Sequence, residues 1–353
     1  MRALVAKFVP TRERSVRNGC CSRCEVRRPE REETAVSFVP FENVRPWWGW
    51  ATIVPGARLW SAAHRPSGGG PEAAGRASGG RRGELWYERG MISYDAGAAS
   101  YDLLSGRWSR LYVPTLLAEA GLVPGHRVLD VATGTGEAAT LAGSRVGTTG
   151  RVIGIDVSAP MLRIAAAKVA KQPVSLVLMD GQTLAFRNES FDAVVCQLGL
   201  MFLPDPATAL REWIRVLRGG ARLAVCVWAA PEHVPLFGVL MDELSRYFPD
   251  QRALLYQPSA LADGDTLERL LAGAGLKAIR LTRETRAHRF TSFEEYWQPF
   301  EAGGGRHGQL FLRLPAAARQ AVREDVRKRM APFLVHGELE MQADVLFGSG
   351  QRY

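Results

Sequence analysis

The stretch Val128-Leu-Asp-Val-Ala-Thr-Gly-Thr-Gly-Glu137 decides the fold of this chain of 353 residues. Its apolar first half is typical of a buried strand, two glycines follow, and a helical pattern continues from Glu137 to Arg145. Gly134 and Gly136 can adopt positive φ and carry no Cβ, so the chain can turn sharply and a ligand can approach backbone N–H groups at a helix N-terminus. We therefore expect a strand, a tight turn and a helix that together seat a nucleotide-like ligand.

A second strand supplies a carboxylate where such a ligand needs one. Arg151-Val-Ile-Gly-Ile-Asp156 reads as a buried strand that ends in an acid, 20 residues after Gly136. This is the usual spacing for a carboxylate that binds the two ribose hydroxyls. Both a dinucleotide and S-adenosylmethionine satisfy these two features, and Gly134-x-Gly136-x-x-Ala139 also fits the relaxed dinucleotide fingerprint.

Two further apolar runs end in polar residues. The run from Val174 to Met179 is followed by Asp180-Gly181, a carboxylate placed to meet an adenine amino group, and the run from Ser190 to Cys196 is followed by Gln197. Ligands of open α/β sheets bind outside the carboxyl ends of the strands, so the polar side chains that follow these strands should lie together at one edge of the sheet.

Further along the chain, Ala207 to Leu217 has helical spacing that Gly219-Gly220 ends, Ala221 to Trp228 and Leu276 to Thr285 read as strands, and Ala316 to Met330 reads as a late helix. This alternation of strands and helices predicts a doubly wound α/β sheet.

These motifs form an ordered series that is more specific than any one of them. They are Leu129-Asp-Val-Ala-Thr-Gly-Thr-Gly136, Gly154-Ile-Asp156-x-Ser158-x-x-Met161-Leu162, Ser190-Phe-Asp192, Gly199-Leu200 and Arg215-Val-Leu-Arg-Gly-Gly-Ala-Arg-Leu223. The series resembles the class I S-adenosylmethionine-dependent methyltransferases, and among them the ubiquinone/menaquinone-biosynthesis C-methyltransferase-like (type 11) subgroup. It covers roughly residue 91 to the C-terminus. The resemblance implies a Rossmann-like, mostly parallel seven-stranded sheet with an antiparallel last strand, and S-adenosyl-L-methionine as cofactor.

The resemblance also implies roles for the matching residues. Asp130 and the turn from Gly134 to Gly136 would hold the methionine end of the cofactor, and Asp156 would hold the ribose. Asp180 and Gly181 would contact the adenine, with Met161 packed on its face. The expected cofactor-binding residues are Tyr101, Asp130, Thr133, Gly134, Thr135, Gly136, Asp156, Val157, Met161, Asp180, Gly181 and Gln197.

Two of the matching segments leave alternatives open. Tyr94-Asp-x-x-Ala98-x-x-Tyr101-Asp102 is similar to the N-terminal lid motif of the family, so Tyr101 would close over the cofactor. Tyrosines in such a segment can equally pack a helix against the sheet. The quinone enzymes usually continue with Phe-Gly-Leu-Arg-Asn where this chain has Leu198-Gly-Leu-Met-Phe202, a departure that affects the expected substrate and leaves the cofactor expectation intact.

The acceptor side should be formed by two insertions, at about residues 229–262 and 290–335. They include His233, Phe237 and Met241 and the apolar segment from Tyr296 to Leu314, which suggests an aromatic acceptor, although apolar insertions are often simply core. A phenol or quinol needs deprotonation, and His233 and His307 are the candidate bases, but we assign no catalytic residue. We expect methyl transfer to a carbon or oxygen nucleophile of a small aromatic or quinone-like metabolite.

Three other functional classes share parts of this sequence pattern. A nicotinamide-dependent oxidoreductase would need a proton donor such as Tyr-x-x-x-Lys, which the chain lacks. A non-catalytic binding protein could keep the cofactor fold without turnover. Nucleic-acid methylation demands a basic surface, but residues 91–353 hold 29 Lys and Arg against 27 Asp and Glu.

Residues 1–90 differ from the rest in composition. They hold 16 Lys and Arg against 9 Asp and Glu, lack sustained apolar periodicity and end in the Gly- and Arg-rich run from Pro66 to Arg82. We expect this head to be mostly disordered and folding to begin near Met91. Its tryptophans could instead bind a partner: Trp47, Trp48, Trp50 and Trp60.

The cysteines favour a reducing compartment. Cys20, Cys21 and Cys24 include one Cys-x-x-Cys, but no second pair follows, so we expect no zinc site. Five cysteines without a disulfide framework, and no apolar run near the roughly 18 residues of a membrane span, suggest a cytoplasmic protein. The oligomeric state is left open.

Overall fold

The computed structural model describes residues 4–7, 37–40, 98, 101–102 and 106–353. Within the head it gives two short strands, β1 (Leu4–Lys7) and β2 (Ser37–Pro40), which pair antiparallel in a sheet of their own. The expectations for the head's cysteines, tryptophans and Gly/Arg-rich run concern residues outside this description.

A second, larger sheet forms the centre of residues 106–353. Its strands are β3 (Arg127–Val131), β4 (Arg151–Asp156), β5 (Val174–Leu178), β6 (Phe191–Gln197), β7 (Leu217–Trp228), β8 (Leu276–Phe290), β9 (Leu334–Val335) and β10 (Glu338–Arg352). They lie in the order β5-β4-β3-β6-β7-β10-β8, and the two-residue β9 pairs with the start of β10 as an eighth strand. The pairs from β5 to β7 are parallel, whereas β10 is antiparallel to both β7 and β8. The expected seven-stranded sheet with an antiparallel last strand is confirmed.

The strand order places a ligand site. The chain adds β4 and β5 on one side of β3 and then returns to add β6 on the other side. The strand order therefore reverses between β3 and β6, and such a switch point opens a crevice at the carboxyl ends of the strands. The loops after β3, β4, β5 and β6 all leave at that edge.

Helices cover both faces of this sheet. In residues 106–353 they are α1 (Arg107–Ser109), α2 (Val113–Glu119), α3 (Glu137–Val146), α4 (Ala159–Val169), α5 (Pro206–Val216), α6 (Pro235–Tyr247), α7 (Arg252–Leu255), α8 (Gly264–Gly273), α9 (Phe293–Glu301), α10 (Gly305–Leu312) and α11 (Ala316–Met330). The Ser349 hydroxyl on β10 donates to Glu119 of α2, while a Cβ on Gly348 would meet Leu271 of α8. Successive residues of a strand face opposite sides, so α2 and α8 lie on opposite faces.

Two strands extend beyond their expected ends because of pairing with neighbours. We expected Gly219-Gly220 to separate a helix from a strand beginning at Ala221, but β7 begins at Leu217, which pairs with Phe191 across an irregular register. We expected β8 to end at Thr285, but its ladder with β10 carries it to Phe290. The five additional residues of β8, 286–290, include His288.

The two insertions pack mainly on each other. Helix α6 of the first contacts α10 and α11 of the second. Met241 of the first insertion and Tyr296 and Trp297 of the second are fully buried. None of the helices in the described residues is long and apolar enough to cross a membrane.

Candidate active site

The glycine turn is tightly built between β3 and α3. Helix α3 starts after Gly136, whose φ of 85° lies in the left-handed region where a side chain would be strained. A Cβ there would also stand 3.0 Å from the Cβ of Ala165 on α4. The predicted strand, turn and helix are therefore present, and the first turn of α3 points its N–H groups toward the crevice edge.

Asp156, the expected ribose carboxylate, ends β4 and supports the turn. Its Oδ2 accepts a hydrogen bond of 2.8 Å from the N–H of Gly134, and its Oδ1 accepts one of 2.9 Å from Ser158. The hydroxyl of Ser158 in turn caps α4 by accepting from the N–H of Met161 at 3.4 Å. The same carboxylate thus connects the glycine turn with the loop after β4.

Asp130 is a completely buried carboxylate beside the turn. Its Oδ2 accepts a hydrogen bond of 2.6 Å from the Thr133 hydroxyl, while its Oδ1 has no partner among the described residues. Burial raises the pKa of Asp130 to about 7, and the nearby Asp156 charge raises it further, while the Thr133 hydroxyl and the backbone N–H of Ala139 lower it. An unpartnered buried oxygen of this kind fits a cationic donor such as the ammonium group of a methionine moiety.

A segment before α2 lies against the turn. We call residues 101–102 and 106–112 the cover segment. The Thr135 hydroxyl donates to Asp102 at 2.6 Å, and Lys168 on α4 pairs with both Asp102 and Glu137 at 2.7 Å. Burial and the charges of Asp156, Asp102 and Glu137 raise the pKa of Tyr101, so this tyrosine lies near the predicted ribose acid.

The cover segment also reaches the end of β6. The Gln197 side chain donates from Nε2 to the backbone oxygen of Ser109 at 3.0 Å, while its buried Oε1 has no partner in the described part of the chain. Leu198 follows with a φ of 52°, a strained conformation for leucine that turns the chain sharply at the crevice.

The remaining predicted contacts lie at the ends of β4 and β5. Asp180 is exposed and accepts a hydrogen bond of 2.8 Å from the N–H of Gln182, while Gly181 is buried and its oxygen accepts from Trp213 at 2.8 Å. Val157 is 46% exposed, an unusual value for valine that suits a ligand-covered position. Met161 is only 3% exposed, so it offers little surface to an adenine.

The two histidines considered as bases lie in different environments. His233 is exposed. His307 is buried, stacks on Phe237 with ring centroids 5.9 Å apart, and bonds through Nε2 to the oxygen of Leu255 at 3.2 Å. Burial lowers the pKa of His307 to about 4.

The sequence interpretation overlooked His288. It lies on β8, is 1% exposed, and is hydrogen-bonded to Tyr112 of the cover segment at 3.0 Å. Burial lowers its pKa to about 4, so it is neutral near pH 7. The sequence does contain a pattern that indicates this strand position. Glu284, Arg286, His288 and Phe290 lie at every second position, as residues on one face of a strand do, but the many arginines interrupt the alternation of apolar and polar residues.

No group of three or more His, Cys, Asp or Glu side chains able to hold a metal ion occurs within the described residues.

Comparison with known proteins identifies similar sequences. The family described as "methyltransferase domain" matches residues 129–225, which run from β3 through most of β7. An uncharacterized protein of Mycobacterium tuberculosis is 34% identical over 172 residues, or 48% of this chain and 60% of that protein. The chain thus spans somewhat over half the length of its mycobacterial relatives.

Other relatives carry a functional name. The ubiquinone/menaquinone biosynthesis C-methyltransferase UbiE of Pseudoalteromonas translucida is 31% identical over 191 residues, covering 50% of this chain and 76% of that protein. The enzyme of the same name from Cupriavidus necator is 32% identical over 190 residues, covering 50% and 78%.

Solved structures are similar at lower identity. A putative methyltransferase from Bacillus halodurans is 21% identical with a TM-score of 0.45 and covers 68% of this chain and 98% of its own. A Haemonchus contortus phosphoethanolamine N-methyltransferase in complex with S-adenosyl-L-methionine is 17% identical with a TM-score of 0.48, covering 75% and 61%.

Proposed function

We propose that this chain, which belongs to the class I S-adenosylmethionine-dependent methyltransferases of the ubiquinone/menaquinone C-methyltransferase-like type, methylates a carbon or oxygen nucleophile of a small aromatic or quinone-like metabolite. The observation that carries the proposal is the buried Asp130 carboxylate, which has one oxygen without a partner in the described residues, beside a glycine turn at the switch point of the sheet. The cofactor is S-adenosyl-L-methionine.

The residues present fit this cofactor. Asp130 would accept from its ammonium group, and the turn from Thr133 to Gly136 would lie along its methionine end. Asp156 would hold the ribose, with Val157 offering exposed apolar surface to the adenine. Asp180 and Gly181 complete the proposed adenine side after the end of β5, whereas the buried Met161 of α4 offers it little surface. Tyr101 and Gln197 contribute from the cover segment and β6.

The chemistry divides between cofactor and protein. When bound, S-adenosylmethionine supplies a methyl group on a sulfonium, already activated for in-line displacement. The chain would orient the acceptor and exclude water. Asp102 and Lys168 hold the cover segment against the turn, and Gln197 ties it to β6, so this segment is placed to shield the site.

An aromatic acceptor is supported by a set of contacting rings that begins with Tyr112 of the cover segment and continues into the first insertion. Tyr112 packs edge to face on Trp228 at 5.9 Å, and Trp228 packs on Phe237 at 5.2 Å. Aromatic surfaces bind planar rings by offset or edge-to-face contact. The quinone-related names of the relatives favour the same class of acceptor.

Calorimetric titration with S-adenosylmethionine or S-adenosylhomocysteine tests the first part of the proposal, that the protein binds this cofactor. We expect micromolar binding, weakened about 10- to 100-fold in Asp156→Ala because charge-assisted hydrogen bonds are lost. Asp263→Ala is the matched control, since this carboxylate also accepts from two backbone N–H groups but caps the distant α8. Absence of binding by the wild type at millimolar ligand would contradict the proposal.

Mass spectrometry tests the second part of the proposal, that the protein transfers the methyl group to a small aromatic acceptor. A cell extract incubated with the protein and deuteriomethyl S-adenosylmethionine should yield a small aromatic product carrying the labelled methyl group. Cofactor binding without any labelled product, over an added panel of phenols and quinols, would instead identify a binding protein.

A further inference from the structure

The cover segment and β8 meet in a buried aromatic cluster. Trp108 packs edge to face on His288 with ring centroids 5.5 Å apart, and on Phe290 at 4.9 Å. Phe290 in turn packs on Tyr296 of α9 at 5.4 Å. Arg107 stabilises this contact, because its guanidinium group donates hydrogen bonds to the Glu295 carboxylate and to the backbone oxygen of Arg289.

Hydrogen bonding fixes the tautomer of His288. The Tyr112 hydroxyl has a single proton, which it donates to the backbone oxygen of Ala343 at 2.9 Å. Its contact of 3.0 Å with His288 Nε2 must therefore use a tyrosine lone pair, so Nε2 carries the ring proton and donates it. His288 is neutral near pH 7, which leaves Nδ1 as a bare acceptor.

Two complementary groups on adjacent rings lack partners. His288 Nδ1, an acceptor, and Trp108 Nε1, a donor, are both buried and have no hydrogen-bond partner among the described residues. A buried polar group without a partner is typically destabilising by about 1–3 kcal/mol. A donor and an acceptor that are both unsatisfied on neighbouring rings are what a hydroxyl-bearing ligand would satisfy.

We propose that Trp108 and His288 bind a hydroxyl group of the methyl acceptor. Trp108 donates to the hydroxyl oxygen, and His288 Nδ1 accepts the hydroxyl proton in a hydrogen bond. This inference rests on the proposed function and narrows its substrate to a phenol or hydroquinone. A methyl ether or a quinone carbonyl only accepts, so either would leave Nδ1 unpaired.

The position of the pair suits an acceptor site. Trp108 lies on the cover segment between Asp102, which binds the turn through Thr135, and Ser109, which binds Gln197 at the end of β6. The proposed hydroxyl site is therefore carried by the same segment that lies on the proposed cofactor turn.

Matched ligands test the proposal. The probes are 1,4-dihydroxynaphthalene, kept reduced, and 1,4-dimethoxynaphthalene, which share their rings and differ in the O–H groups. Binding is measured by fluorescence or calorimetry in the presence of S-adenosylhomocysteine. We expect the wild type to prefer the dihydroxy compound at least tenfold, and the preference to fall below threefold in His288→Phe and Trp108→Phe.

Two further variants separate loss of hydroxyl recognition from loss of folding. His307→Phe replaces another buried histidine and should keep the preference. His288→Asn, which keeps an acceptor near the position of Nδ1, should restore part of it. Each variant is also titrated with S-adenosylhomocysteine alone, and retained affinity shows that its fold and cofactor site persist.

The failures are distinguishable. Absent S-adenosylhomocysteine binding in the wild type defeats the proposed function itself. With that binding intact, equal affinity for both naphthalenes, failure of the dihydroxy compound to bind, or an unchanged preference in His288→Phe overturns the hydroxyl site. A crystal structure in which one water bridges Trp108 and His288 while the dihydroxy compound binds elsewhere does so too.

Discussion

Asp130 should couple cofactor binding to proton release. Burial raises its pKa to about 7, so at pH 6 most of the free protein carries a protonated carboxyl here. An ammonium group beside it would favour the ionised form. We expect binding of S-adenosylhomocysteine at pH 6 to release close to one proton, measured from how the binding enthalpy changes with the ionisation enthalpy of the buffer.

Asp130→Asn is the control for this effect, since the amide does not titrate. A wild-type binding enthalpy that is the same in all buffers would show that no cation approaches Asp130.

The same residue should make the stability of the cofactor-free protein depend on pH. The unfolded carboxyl ionises near pH 3.8, whereas the folded one holds its proton until about pH 7. Asp130 therefore favours folding fully below pH 3.8, and this contribution is lost as the pH rises through about 7, a change of about 4 kcal/mol. The free energy of unfolding of wild type relative to Asp130→Asn should fall accordingly between pH 4 and pH 8.

Urea unfolding of both proteins across that range measures the effect. The difference between them isolates Asp130 from His288 and His307, whose lowered pKa values also alter stability below pH 6.5. A difference that does not vary with pH would mean that Asp130 is ionised in the folded protein throughout.

Between elements, the contact of the cover segment with α3 and α4 should be local and weak. The ion pairs of Lys168 with Asp102 and Glu137 are partly exposed, so each contributes at most about 1 kcal/mol. We expect Asp102→Ala to change the melting temperature little but to speed hydrogen exchange several-fold at the amides of Leu111 and Tyr112, which bond within the segment.

Asp325→Ala removes a comparable surface ion pair, with Lys328 on α11, and should leave those amides unchanged. If the exchange rates in Asp102→Ala match those of wild type, the segment is held by its aromatic contacts instead.

For the whole chain, the uneven charge and composition lead to a prediction about the head. A protein of residues 91–353 should melt like the full chain, because the large sheet and the helices α1 to α11 lie within residues 106–353. The strands β1 and β2 hydrogen-bond to each other and not to that sheet, although β1 lies against its edge strand β5. Thermal unfolding followed by circular dichroism measures this. A loss of several kcal/mol on truncation would show that residues 1–90 support the fold.

Local sequence patterns were sufficient to predict the fold class and to propose the cofactor-binding residues. The glycine turn, the acid 20 residues later and the alternation of strands and helices are local patterns, because backbone geometry ties each to residues nearby. Helix α11 was predicted with its observed bounds, Ala316–Met330, since its spacing needs no long-range contact. The observed end of β8, Phe290, was not predicted, because it is determined by hydrogen bonding to the distant strand β10.

Burial, proton affinity and the choice among histidines depended on the folded chain. Trp108 and His288 are far apart in sequence and meet because β8 joins the sheet beside β10 and the cover segment packs against β8 and β10. The raised pKa of Asp130 likewise comes from the strands and helices that exclude water around it. Desolvation and contacts between distant residues are properties of the assembled fold, so no local pattern could reveal them.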